Sequence, residues 1–349
     1  MWMYIGKRIL LMIPTLAGVM LITFVITQFV PGGPVEQLVS QMTGADQSME
    51  AGQAARSIYR GADGIDAESL AEIKALYGFD KPAGERFMDM MASYAVFDLG
   101  DSYYHHQSVI SLIVSKLPVS ISLGLWTFFL TYLTCIPLGI MKAVRDGSRF
   151  DTISSTIILI GYSIPGFILG IGLLVLFGGG SFWDVFPLRG LVSDNWDELS
   201  MLDKILDYLW HMTLPVIASM VGSFAIMTML TKNSFIEEIR KNYVITARAK
   251  GLSEGRVMYK HIFRNALIPL VTGFPAAFIG AFFANSLLIE TIFSLDGLGL
   301  LSYESILKRD YPVVLGSLYL FTIIGLLTKL ITDLCYVWVD PRVKFDANS

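Results

Sequence analysis

The sequence predicts an all-α integral membrane protein with six transmembrane helices and both termini in the cytoplasm. Three observations predict it: an apolar composition, six long uncharged runs, and basic residues gathered on alternate connections between those runs. Of the 349 residues, 54% are apolar and 16% charged, and the mean hydropathy is +0.58, outside the range of a soluble domain. The uncharged runs are 9–35, 117–141, 152–183, 208–231, 265–289 and 311–328. At about 1.5 Å per helical residue, each is long enough to cross a hydrocarbon core of about 30 Å. One set of connections holds the N-terminal stub, 142–151, 232–266 and the C-terminus, with 15 basic and 7 acidic residues. The opposite set, 36–116, 184–207 and 290–310, has 10 basic and 22 acidic. A net charge of −4 therefore conceals opposite charge on the two sides, and the positive-inside rule puts the first set in the cytoplasm.

Residues 1–30 form a cytoplasmic stub and the first span. Lys7 and Arg8 before an apolar run have the look of a secretory leader. The run is too long for one, and Pro31-Gly32-Gly33-Pro34 lacks a small-x-small cleavage pattern, so the segment reads as a retained anchor. Residues 31–117 form a large outer loop. In it 41–66 is rich in Gly, Ala, Ser and acids, helical spacing appears over 67–77, and a second helix is expected over 85–94. The membrane core runs over 118–338, with spans at 118–141, 153–178, 212–232, 267–289 and 312–338, and a short tail occupies 339–349. An interfacial helix is expected at 199–210, and Trp183, Trp196 and Trp210 suit an outer headgroup belt. Pro14, Pro137, Pro165, Pro215 and Pro275 fall within spans, where they either bend helices for function or reflect ordinary membrane-helix composition. Cys135 and Cys335 also lie in spans and carry no information about redox compartment.

The connection at 232–266 is unlike a simple loop. A helix-to-helix turn needs only a few residues, and an independent domain needs more than about fifty. This one carries eight Lys or Arg against three acids and reads as a short surface helix offered to a cytosolic partner.

Its residues Tyr243, Thr246-Ala247-Arg248-Ala249-Lys250-Gly251-Leu252, His261, Arg264-Asn265-Ala266 and Pro269 resemble the conserved cytoplasmic loop of ABC importer permeases of the dipeptide/oligopeptide branch. Gly251 follows Ala247 by four, as in the family's EAA-x3-G pattern, although Ile245 replaces the nominal Glu. Other landmarks agree in order over nearly the whole chain. They include Tyr77-Gly78-Phe79-Asp80, Asp98-Leu99-Gly100-Asp101-Ser102-Tyr103, Ser163-Ile164-Pro165, His211-Met212-Thr213-Leu214-Pro215, Glu290-Thr291-Ile292-Phe293 and Asp340-Pro341-Arg342. Phe186-Pro187-Leu188-Arg189-Gly190 and Ser294-Leu295-Asp296-Gly297-Leu298-Gly299 look closer still to the B permease subunit of Yej-type importers, a branch linked to peptide and microcin C uptake.

The resemblance implies a type I ABC importer permease fold, with 31–117 periplasmic, 118–338 as the permease core and 233–266 as the cytoplasmic coupling loop. It implies a peptide substrate, a homologous second permease, two ABC ATPase domains and a periplasmic binding protein, all in a lipid membrane and with no nucleic acid. ATP and Mg belong to the partner ATPase; this chain is expected to bind no cofactor or metal and to hold no catalytic residue. Nickel and other small solutes are the alternative cargo within the same family. The ATPase-coupling helix is expected at Tyr243, Thr246, Ala247, Arg248, Ala249, Lys250, Gly251 and Leu252. The physical reason is that Ala247, Ala249 and Gly251 allow close approach to a partner and Gly251 permits a sharp turn. Arg248 and Lys250 project between them toward acidic groups on the ATPase rim.

Candidate pathway or gate residues are Tyr162, Ser163, Asn285, Glu290, Gly297 and Gly299. Glu290 and Arg309-Asp310 bound an outer loop in which Gly297 and Gly299 give tight turns; it reads as a gate, as a surface for the binding protein, or as a well-packed connection. Lys329 and Asp333 share a helix face in the sixth span; a Lys beside an Asp favours a structural pair over proton coupling. His105-His106 has no third ligand in view. No G-x-x-x-x-G-K-[ST] or G-x-S-x-G occurs, and Gly178-Gly179-Gly180 stands in the wrong context for a phosphate loop. An intramembrane enzyme is therefore disfavoured, and a stand-alone secondary transporter leaves the coupling-type loop unexplained.

Overall fold

The computed structural model describes residues 2–29, 81–105, 107–179, 182–283 and 286–339. The expectations for 31–80, Asn285, His106 and Asp340-Pro341-Arg342 lie outside the described residues. Regular structure there is helical: α1 Trp2–Phe29, α2 Ala83–Ala95, α3 Val109–Val144, α4 Arg149–Tyr162, α5 Gly166–Phe177, α6 Met201–Ile239, α7 Asn242–Ala249, α8 Glu254–Ala266, α9 Ile268–Phe283, α10 Ser286–Ile292, α11 Leu298–Lys308 and α12 Tyr311–Val339. Within α8 the stretch Val257–Ile262 is a π-turn. The chain is an all-helical membrane protein; among the described residues four helices are long and apolar enough to span (α1, α3, α6, α12), or six when the bent pairs α4/α5 and α8/α9 each count as one.

Two features depart from the reading of the sequence. The segment expected as one span at 153–178 turns by 92° between α4 and α5. Pro165 precedes the first residue of α5; it lacks an N–H and disfavours helical geometry at Ile164, so the helix ends there. Pro118, Pro137, Pro215 and Pro275, by contrast, sit inside continuous helices. The interfacial helix expected at 199–210 is not separate but forms the start of α6, which continues to Ile239. Ser200 caps it, accepting from the Asp203 N–H at 3.3 Å, and no Gly or Pro follows before Pro215 to break it.

The chain divides into two compact units, 1–5 with 116–301 and 325–349, and 6–115 with 302–324. In the first, one core gathers Leu123, Met212, Val216, Ala218, Ile289, Phe293 and Leu295; a second gathers Ala143, Phe235, Val244, Val257, Ile262 and Ala266. The Asp333 carboxylate in this unit accepts a hydrogen bond from the Tyr4 hydroxyl at 2.9 Å. In the second unit Tyr94, Leu99, Val109, Leu112 and Val313 are buried. The Tyr319 hydroxyl donates to the Tyr94 carbonyl at 2.8 Å, and Ser102 donates to Asp310 at 2.5 Å.

Candidate ATPase-coupling site

α7 is short, exposed on one side and held hard on the other. Val244 and Ala247 are buried, while Ile245, Thr246, Arg248, Ala249, Lys250 and Gly251 are exposed. The helix closes with a paired C-terminal cap: the Gly251 N–H donates to Arg248 O at 2.9 Å and the Leu252 N–H to Ala247 O at 3.4 Å. This is the Schellman arrangement, and it demands the left-handed backbone that Gly251 adopts at φ +76°. Leu252 packs back against the Val244 cluster, as such caps require.

Two roles differ from expectation. Ala247 was expected on the partner-facing side, but it is 5% exposed and packs inward; its small side chain serves the fit of α7 onto α6 and α8. The open small residues are Ala249 and Gly251. Arg248, expected to reach a partner's acids, makes a two-pronged pair with Glu254 of its own chain, Nε–Oε1 2.9 Å and Nη2–Oε2 3.1 Å. That pair is surface-exposed and closes the α7–α8 turn.

Tyr243 ties the segment together. Its hydroxyl donates to the Glu238 carboxylate at 2.6 Å and reaches His261 O at 3.3 Å, and Asn265 Nδ2 donates to it at 3.3 Å. Tyr243, His261 and Asn265, separated in sequence, thus meet at one point joining α6, α7 and α8. Burial, then the hydrogen bond to Glu238, pushes the Tyr243 phenol above its ordinary value. The hydrogen bond to Glu238 likewise holds the Lys241 ammonium above its own.

Beside it lies a charge cluster that sequence reasoning missed. Lys142 is fully buried, and its ammonium donates to Asp151 O at 3.0 Å, Ser154 Oγ at 2.7 Å and Ser155 Oγ at 2.7 Å. Asp151 stands 3.2 Å from Lys142 and 2.7 Å from Lys232, which also reaches Asp146 at 3.2 Å. The signal was visible as charges flanking the second, third and fourth spans, but nothing in one dimension pairs them. The cluster binds the α3–α4 turn to the last third of α6, the helix that leads into α7.

Three of the candidate gate residues also converge. Glu290 is fully buried. It accepts from Ser120 Oγ at 2.7 Å and from the N–H groups of Gly299 at 2.7 Å and Leu300 at 3.1 Å, while Leu298 N donates to Ser120 Oγ at 2.8 Å. Glu290 therefore caps α11 from the end of α10. A Cβ at Gly297 would collide with the Glu290 carboxyl group, so any side chain there has to displace the acid from its partners. Tyr162 and Ser163 sit apart from this cradle, at the α4–α5 bend; the Ser163 hydroxyl donates to Leu159 O at 2.9 Å.

Apolar helices long enough to cross a membrane, joined by a short exposed helix anchored on one side, suit a transport permease. The chain belongs to the binding-protein-dependent transport system inner membrane components, whose family model matches residues 135–345. It is 55% identical to the peptidoglycan transport system permease protein YejB of Agrobacterium fabrum and 51% identical to the inner membrane ABC transporter permease protein YejB of Escherichia coli O157:H7. It is 32% identical to the dipeptide transport system permease protein DppB of Escherichia coli K12. Each match covers 99% of this chain and 99% of the relative. The chain is thus a multi-pass, non-catalytic inner-membrane permease component that carries no cofactor and works with an ATPase and a binding protein.

Proposed function

We propose that this chain is the permease subunit through which an ABC importer moves peptides across the bacterial inner membrane, alongside a homologous second permease. The observation that carries this reading is end-to-end likeness to peptide-class permeases, joined to a coupling segment whose motif residues meet at Tyr243. In this reading 232–266 and both termini face the cytoplasm. The exposed face of α7, centred on Ala249, Lys250 and Gly251, enters a cleft on the ATPase. Closure of the ATPases on ATP moves α7, and the Tyr243 hub and the Lys142–Asp151–Lys232 cluster pass that motion to α6, α3 and α4 as a rigid block. The spans then exchange inward and outward openings, with the Glu290 cradle holding the outer loop between α10 and α11. Tyr162, Ser163 and Asn285 are retained as candidate path residues at the third and fifth spans.

The test is uptake into proteoliposomes holding the complete complex, supplied with binding protein and labelled di-, tri- or hexapeptide, with nickel ion as the competing cargo. ATP-dependent accumulation of peptide supports the proposal. Accumulation of nickel alone, or peptide uptake driven by an ion gradient without ATP, overturns it.

A further inference from the structure

In the first unit, α3, α6 and α9 surround a cavity of about 270 Å³. Its α3 wall carries Thr127 and Thr131, four residues apart and so on one helix face, together with Tyr132. Both threonines are buried, and among the described residues neither Oγ1 has a hydrogen-bond partner; the Tyr132 hydroxyl is buried and unpartnered among them as well.

Several other threonines in spanning helices satisfy themselves on the carbonyl four residues back, although Thr228 of α6, which does not line the cavity, is unpartnered too. Thr134 does so on Leu130 at 2.6 Å, Thr213 on Leu209 at 2.8 Å and Thr272 on Ile268 at 2.9 Å. Thr127 and Thr131 stand mid-helix, where the same bond is available, and do not make it. Buried hydroxyls are nearly always bonded. Three such orphans belong to residues that line one cavity, where a rotation of these side chains would let a visiting group supply the partners.

The rest of the lining says what kind of group. Among the described residues, no charged one lines the cavity. Phe128 and Tyr132 offer an aromatic wall, their ring centroids 4.4 Å apart, with Phe274 packed edge-on behind Phe128 at 5.0 Å. On α9 the lining is small, Ala277, Gly280 and Ala281, and a Cβ added at Gly280 meets nothing within 4 Å. The volume falls just below the roughly 300–1,000 Å³ of sites that hold a whole drug-sized ligand. It suits one residue of a chain, not a complete oligopeptide.

We infer that this cavity is a single-residue subsite on the substrate path, where one apolar side chain lies against Phe128 and Tyr132 while the Thr127, Thr131 and Tyr132 hydroxyls bond the flanking peptide amides. The inference rests on the peptide reading above. Hydroxyls both donate and accept, so they meet a peptide C=O or N–H equally. Amides occur in every peptide, which makes the subsite tolerant of sequence.

The experiment uses the complete complex in proteoliposomes, turning over ATP with binding protein and the tripeptide Ala-photoleucine-Ala, irradiated and mapped by mass spectrometry. Cross-links are expected on Phe128, Tyr132 or Met227. Their yield should fall about fivefold for each hydrogen bond removed in Thr127→Val/Thr131→Val and Tyr132→Phe, and at least tenfold in Gly280→Leu, which fills the space. Thr156→Val, whose hydroxyl bonds Thr152 O at 3.0 Å in its own helix, should leave the yield unchanged. Cross-links elsewhere, or yields unaffected in all three test variants while peptide uptake continues, overturn the subsite and leave the peptide reading standing. A wild-type complex that takes up no peptide overturns that reading, and the subsite's assignment to amides with it.

Discussion

Replacing Gly251 by alanine separates what α7 needs for its own fold from what the proposed docking needs. At φ +76° an L-residue costs about 1–2 kcal/mol, and the stiffer unfolded chain returns about 0.4–1 kcal/mol. An added Cβ meets nothing within 4 Å, so no steric cost is added within this chain. The net is about 1 kcal/mol against the cap, or about a fivefold shift in its opening equilibrium. Hydrogen exchange in the purified protein reads this at the Leu252 N–H, which bonds Ala247 O. Exchange should quicken about fivefold in Gly251→Ala and less in Gly251→Asn, because asparagine tolerates the left-handed region. Ala249→Trp adds bulk at an exposed position with helical backbone; exchange should stay near wild type while the ATPase is lost from the purified complex. Alanine at 251 exchanging as slowly as glycine would refute the cap argument. ATPase retained in full by Ala249→Trp would refute the docking face.

Further outcomes follow from the same geometry. Asp151→Asn leaves the fully buried Lys142 short of its counter-charge and should cost about 3–5 kcal/mol, seen as a lower melting temperature. Lys142→Met added to it should restore much of that loss, and a double variant no more stable than the single one would dismiss the ion-pair account. Gly297→Ala should cost about 2 kcal/mol or more by pushing Glu290 off the Gly299 and Leu300 amides; shortening the acid as well, in Gly297→Ala/Glu290→Ser, should recover part of it in thermal unfolding. Tyr243→Phe removes the bond to the Glu238 carboxylate and should cost about 1.5–3 kcal/mol, with faster exchange across both α7 and α8.

The membrane character was legible from the sequence because hydrocarbon imposes a one-dimensional rule: long uncharged stretches, read without knowing any neighbour. The short capped surface helix was legible for a similar local reason, since Gly251 at a helix end and a basic run are properties of adjacent residues. The joining of 199–210 to the fourth span was misread because a boundary between interface and membrane breaks no hydrogen bond and leaves no mark in the residues. The bend at Pro165 was one proline among several: Pro118, Pro137, Pro215 and Pro275 lack the same N–H yet sit inside continuous helices, so residue type alone does not mark the break.

What the sequence determined by itself was class and local geometry: a helical, many-times-crossing chain, charged unequally on its two faces, with a capped surface helix in one loop. What only the tertiary structure decided was pairing. Ala247 turned inward, Arg248 satisfied within the chain, Lys142 held by Asp151 and its serines, Glu290 capping α11, and three hydroxyls left without partners around one cavity all depend on residues far apart in the chain. Burial and hydrogen-bond satisfaction are properties of an environment, and the environment of each of these groups is assembled only when the helices meet.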